Sequence, residues 1–185
     1  LSSSSAASDV YKRQPQKRPL EVLSAFSASG LWQRGWTLVF VGSGSLAAPL
    51  ASLTDQIGLN EHVRALGHLL PEEIPYRPGS LSIINSDFEG SPNVLAESIS
   101  NRMIPLVRQS VVEAKEFIPA SLWSELAHKN DQDLATRLGG IETLLIEQDK
   151  ILEILASSYV RRVQLYGRLR ERFYLDLGKS MSAID

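Results

Sequence analysis

Apolar residues in the first 120 positions fall into short clusters of two kinds. In "PLEVLSAFSASG" (19–30) they recur at helical spacing, and Gly30 stands where a helix C-cap belongs. "WTLVFVG" (36–42) is instead a continuous apolar run of strand length closed by glycine. The alternation continues. "SLAAPLASLTDQIG" (45–58) reads as a helix with Pro49 confined to its first turn, and "HVRALG" (62–67) as a short strand. "LPEEIPYRPG" (70–79) is a brief helix or turn broken by prolines, and "SLSIINS" (80–86) is a strand. "SPNVLAESISN" (91–101) is a helix with Ser91 as N-cap and Pro92 at its first position. "MIPLV" (103–107) is a strand and "VVEAKEFI" (111–118) a short helix.

Strands that are apolar throughout, alternating with helices, predict a parallel sheet covered on both faces. Right-handed crossovers make that sheet doubly wound and Rossmann-like, so the expected fold class is α/β. Such sheets bind ligands at the carboxyl ends of their strands. Gly42 to Ser45, Gly67 with His68, and Ser86 to Asn93 all fall at that edge. Beyond about residue 130 the 3.6-residue period takes over, interrupted at Gly139-Gly140. In this helical tail Arg161, Arg162, Arg168, Arg170 and Arg172 are interleaved with Tyr159, Tyr166, Phe173 and Tyr174. That face suits a membrane surface or nucleic acid, but a packed amphipathic helix with solvated arginines is the stronger expectation.

Composition narrows the classes. At 43% hydrophobic and 22% charged residues, the 185-residue chain can bury a core. A net charge of −2 gives no general attraction to nucleic acid, and no nucleic-acid partner is expected. The absence of cysteine excludes disulfides and zinc thiolates. His62, His68 and His128 lack metal-ligand spacing and read as isolated surface histidines, so no metal is expected. No apolar run reaches the ~18 residues of a membrane span. The opening "LSSSSAASDVYKRQ" has no apolar signal-peptide core. It resembles translated sequencing-adapter read-through at the end of an assembled environmental contig, with a Ser-rich linker as the alternative. The expected organisation is a leader over 1–14, artefactual or disordered, a Rossmann-like domain over 15–130 and C-terminal helices over 131–185. Native sequence would then start near Pro15 and extend upstream.

Chemistry concentrates in "SDFEGSPNVLAES" (86–98). The first amides of a helix lack intrahelical partners and carry about half a positive charge, which suits a phosphate. Gly90 lets the backbone approach closely. Glu97, about a turn and a half in and ~8 Å from those amides, is too far to repel the phosphate and well placed to accept paired ribose hydroxyls. Glu89, ahead of the turn, can accept hydroxyls from a group on the other phosphate. Two such acids around a diphosphate seat describe a nucleotide-sugar. The plain alternative is a turn glutamate and a solvent-facing helix glutamate.

This stretch resembles the E-x7-E motif of retaining GT-B glycosyltransferases of family 4, the group 1 glycosyl transferases. "PQKRPLEVLSAF", "LVFVGSGS", "IGLNEHVRALGHL" and "IPLV" stand around it in the family's order. The resemblance runs from about Pro15 to Pro119 and more loosely into the tail. It implies the C-terminal half of a GT-B fold and sugar transfer from a nucleotide-sugar to a glycan or lipid-linked acceptor, with retention. By this resemblance Glu89 is the acid that contacts the donor sugar, and Glu97 holds the ribose. The amides of Gly90, Ser91, Pro92, Asn93 and Val94 surround the diphosphate, which Lys17 neutralises. Gly67 and His68 begin the base-contacting loop, and Gly42 and Gly44 line the same edge. No cofactor or metal is implied. The common setting is cytoplasmic polysaccharide assembly at the inner face of the membrane, with peripheral membrane contact.

The departures are specific. The family's Gly-Arg-Leu stretch would fall near residues 11 to 13, where the chain reads "YKR". Its helix-ending glycine is Arg102, with Asn101 expected to take the left-handed cap. The amino-terminal domain that carries the acceptor site is absent, so the chain alone is expected to be inactive. The first strand of the domain is also expected to be missing, which leaves the sheet unstable or its central gap filled by residues around Ser8 to Lys12. Two other readings compete. "GSGSLA" (42–47) fits a dinucleotide fingerprint, but no acid closes the next strand, "RALGH". A non-catalytic Rossmann-like binding domain is the other.

Overall fold

The computed structural model describes residues 5–8, 15–89 and 93–181. Six parallel strands form one sheet in the order β3-β2-β1-β4-β5-β6. The strands are β1 Ser5–Ser8, β2 Thr37–Phe40, β3 Val63–Ala65, β4 Leu81–Ile84, β5 Ile104–Arg108 and β6 Ala127–His128. The helices are α1 Pro19–Ser29, α2 Ala47–Gln56, α3 Asn93–Ser100, α4 Ala120–Leu126, α5 Asp131–Gly139, α6 Ile141–Ile146 and α7 Gln148–Met181. This is the expected doubly wound α/β architecture.

The sheet's centre is occupied. Ser5–Ser8 pairs with Thr37–Phe40 on one side, and Ala7 meets Ser82 of β4 on the other. The gap was expected to be filled from Ser8 to Lys12, and the strand lies a few residues earlier. Residues 9–14 are outside the described part.

Every residue of β4 is buried, as are the first four of β5, so both faces of the sheet are covered. One apolar cluster runs from Val22, Leu23 and Phe26 of α1 through Leu38, Leu81, Ile83 and Ile104. It continues into Leu134 and Leu138 of α5 and Leu152 and Leu155 of α7. Helix α1 packs on α5, and α3 packs on α7. Within this core the Ser82 and Ser98 hydroxyls hydrogen-bond each other at 2.7 Å, which ties α3 to β4. Pro105 sits inside β5 opposite Ser82. It is tolerated there because β6 pairs only with Val107 and Arg108, so no ladder donor is missed on that side.

The local signals were accurate where they were strong. Helix α1 ends at Gly30 in the left-handed region (φ 68°), and Pro49 lies in the first turn of α2. The 111–118 segment is a 3-10 turn over Val112–Glu116 rather than an α-helix. At the end of α3 the left-handed residue is Arg102 itself (φ 56°), not Asn101. The Met103 amide reaches back to the Ser98 carbonyl at 2.9 Å, which closes a Schellman-type cap around Arg102.

Candidate functional site

Chain direction creates the candidate site. From β1 the chain moves to β2 and β3 on one side, then returns across the sheet to β4 on the other. The exits of β1 and β4 therefore diverge, and the crevice between them is where open parallel sheets take ligands. Lys17 stands on the segment that follows β1, and Glu89 on the loop that follows β4.

These two side chains meet. Lys17 Nζ donates to Glu89 Oε1, with only 9% and 15% of the side chains exposed. The Ser86 hydroxyl donates to the same carboxylate oxygen at 2.5 Å. Backbone reinforces the contact, because the Asp87 amide donates to the Gln16 carbonyl at 2.9 Å. A pair this desolvated is costly to break from one side, since the remaining charge keeps its burial and loses its partner.

The other predicted residues are placed as follows. Glu97 lies in the second turn of α3, and its Oε2 accepts from the Tyr76 hydroxyl at 2.8 Å. Asn93 (exposed) and Val94 (buried) open that helix and stand at the positive end of its dipole. Gly90, Ser91 and Pro92, with the N-cap expected at Ser91, are outside the described residues. Gly42 and Gly67 join the exits of β2 and β3 through an amide-to-carbonyl bond of 2.5 Å. Both need glycine's freedom, with φ of 117° and 74°. The Gly44 carbonyl accepts from the Ala47 amide at 3.1 Å and starts α2, while His68 is exposed. The structure thus brings Lys17 and Glu89 into contact and engages Glu97 with Tyr76. Gly42, Gly44, Gly67 and His68 lie farther along the same sheet edge.

A polar network beside this pair was not anticipated. Asn85, Arg108 and His128 stand at the carboxyl ends of β4, β5 and β6, and Asp131 starts α5. Arg108 Nη1 donates to Asp131 Oδ1 at 2.9 Å and to Asn85 Oδ1 at 3.2 Å. His128 Nε2 lies 2.9 Å from the same Asn85 oxygen. Because Asn85 presents its amide nitrogen to Asp131 at 3.5 Å, its oxygen faces the histidine, and Nε2 carries the proton. Arg18 completes the network through Asp87 at 3.0 Å and Asp131 at 3.4 Å. The sequence signal was available: one polar residue ends each apolar strand run.

His128 corrects the expectation of three surface histidines. It is fully buried beneath α5, and its pKa is lowered to about 4, first by burial and then by the Arg108 charge. His62 is half-buried with its ring 5.7 Å from that of Trp32. Among the described residues no group of three or more acids or histidines could hold a metal ion.

In the tail, Arg162 ion-pairs with Glu116 and lies 4.3 Å over the Phe117 ring, which stacks on Tyr159 at 6.2 Å. This part of the basic-aromatic face is packed on the protein. The side chains of Tyr166, Arg168, Arg170, Arg172, Phe173 and Tyr174 lie outside the described part. Among the described residues no helix is long and apolar enough to cross a membrane. The "GSGSLA" segment follows β2 rather than β1, and β3 runs on into Leu66, Gly67 and His68 without an acid.

No protein-family model matches the chain, and no curated protein sequence matches it. Solved structures do share its fold. The Anabaena protein HepE, determined in complex with UDP and glucose, aligns over 96% of this chain and 48% of its own, with a TM-score of 0.71 and 15% identity. The α,α-trehalose-phosphate synthase (UDP-forming) of Burkholderia vietnamiensis aligns over 98% of this chain and 45% of its own, with a TM-score of 0.77 and 13% identity. The C-terminal domain of the Francisella tularensis group 1 glycosyl transferase LpcC aligns over 88% of this chain and 85% of its own, with a TM-score of 0.64 and 18% identity. This chain therefore spans about half the length of the first two proteins and most of the isolated C-terminal domain. Its fold is the Rossmann-like half of a GT-B glycosyltransferase.

Proposed function

We propose that this chain is the donor-binding half of a retaining glycosyltransferase that moves a sugar from a nucleotide-sugar to a glycan or lipid-linked acceptor. The observation that carries the reading is the Lys17–Glu89 pair at the topological switch point, where ligands bind in open parallel sheets. The solved complex of the like-folded HepE with UDP and glucose supports it.

The geometry suggests how binding and chemistry would be linked. Without donor, Lys17 and Glu89 neutralise each other. An entering diphosphate competes for the Lys17 ammonium, and the positive end of the α3 dipole favours it. Glu89 then keeps the Ser86 hydroxyl and can accept from a hydroxyl of the donor sugar. Glu97 offers its carboxylate to the ribose, and Gly67 and His68 face the base. As the sugar bond breaks, negative charge grows on the departing diphosphate. A fixed ammonium and fixed amide dipoles stabilise that charge without reorganisation, and this needs no metal. In the same reading residues 15–130, with strand β1 completing their sheet, form the nucleotide-sugar domain, and 131–185 are its helical extension. The acceptor is held by a further domain, and the enzyme works in the cytoplasm at the inner face of the membrane.

Calorimetric titration of UDP and GDP tests the reading. Binding at millimolar affinity or tighter is expected for one of them. Lys17→Ala and Glu97→Ala should each weaken it by about tenfold or more, the scale of a charge-assisted contact. A folded protein that binds neither nucleotide, or variants with unchanged affinity, would refute it.

A further inference from the structure

Arg18 is in an unusual state. Its backbone lies at φ 50° and ψ 50°, in the left-handed region, directly before α1. A side chain there is strained in a way that a glycine would not be. Its side chain caps nothing in that helix. It reaches Asp87 Oδ1 at 3.0 Å and Asp131 Oδ2 at 3.4 Å, with Glu21 at 3.4 Å. These contacts raise its pKa further, the hydrogen bond to Asp87 most of all, so the charge is permanent. Asp131 is itself held by Arg108 at 2.9 Å.

The position of this clamp is informative. Arg18 adjoins Lys17, and Asp87 is two residues from Glu89. One guanidinium therefore ties the segment after β1 to the loop after β4, and Asp131 anchors both to the start of α5. The tie spans the crevice mouth where the Lys17–Glu89 pair lies. Glycine would relax the backbone but would remove the tie.

We propose that Arg18 and Asp131 are positioning residues that hold Lys17 in register with Glu89 for diphosphate binding, an inference that rests on the donor-site reading above. Neither touches the ligand. They act by fixing the separation of two loops that carry the binding charges, so that the cost of ordering them is met in folding and not in binding.

The test separates positioning from stability and from the donor-site reading. Arg18→Gly and Asp131→Asn are made in the full chain, and melting temperature is recorded for each. Lys17 is then followed by amine acetylation and mass spectrometry in ligand-free protein, and UDP and GDP affinities by calorimetry. Arg18→Gly should melt at or above the parent temperature, because it relieves the left-handed strain. Its Lys17 should nevertheless acetylate several-fold faster, and nucleotide affinity should fall by about fivefold or more. Asp131→Asn, which leaves the Arg18 backbone alone, should shift labelling and affinity the same way. Unchanged Lys17 labelling in both folded variants overturns the proposal, and so does faster labelling with unchanged affinity. Labelling that changes only in step with a falling melting temperature also overturns it, since that is a merely structural role. If the parent itself binds neither nucleotide, faster Lys17 labelling in both variants upholds the clamp and refutes the donor site.

Discussion

Lowering the pH from 7 to 5 should cost this protein about 2 kcal/mol of stability through His128 alone. The ring is fully buried, its Nε2 donates to Asn85, and Nδ1 has no partner among the described residues. A second proton must go onto Nδ1, next to the Arg108 and Arg137 charges. Asp133 and Asp131 offset them only in part, so the pKa lies at about 4 against an ordinary 6.5. The sign follows directly. The fold favours the neutral ring, and the unfolded chain takes up a proton near pH 6.5. Stability is thus full above that pH and is lost as pH falls toward 4. At pH 5 the unfolded state is protonated and the native state is not, over a gap of about 1.5 pH units at ~1.4 kcal/mol each. Urea unfolding followed by the fluorescence of the three tryptophans reads the effect. With a slope of roughly 2 kcal/mol per molar, the midpoint should fall by about 1 M between pH 7 and pH 5. His128→Gln keeps a donor for Asn85 and cannot titrate, so its midpoint should fall by much less. Equal losses in parent and variant would refute the reasoning, because they would place the acid sensitivity elsewhere.

Other substitutions probe the fold. Arg102→Gly should stabilise by about 0.5 kcal/mol, since the left-handed strain at φ 56° is relieved and only an exposed pair with Asp149 is lost; a lower melting temperature would contradict this. Phe26→Ala removes a fully buried ring from the α1 face of the core and should cost about 3–5 kcal/mol in denaturant unfolding. Ser98→Ala leaves the buried Ser82 hydroxyl unsatisfied and should cost about 1–2 kcal/mol. Adding Ser82→Ala should recover part of that loss, and strict additivity in the double-mutant cycle would show that the two hydroxyls do not interact.

Much of this architecture is written locally. The apolar runs that became β2, β4 and β5 state their own burial, because a strand covered on both faces needs apolar side chains at every position. Gly30 closes α1 because a left-handed residue costs glycine nothing there. Five segments resemble a known family in their order and predict the doubly wound sheet, and Lys17 and Glu89 lie on the segments that follow β1 and β4. What sequence could not state depends on neighbours distant in the chain. Ser-Ala-Ala-Ser at 5–8 has no β-branched residue and reads as a linker, yet it is a central strand, because β2 and β4 present backbone donors and acceptors to it from both sides. The two-residue β6 is shorter than any periodicity. Arg18, Asn85, Arg108, His128 and Asp131 come from five different segments, and no spacing rule links them. Only the assembled sheet sets their distances, and distance and burial decide whether a histidine is a solvated surface group or a buried neutral one. Sequence placed the charges at the right edge of the sheet; tertiary structure decided which of them meet, because electrostatic partnership depends on separation in space and on exclusion of water.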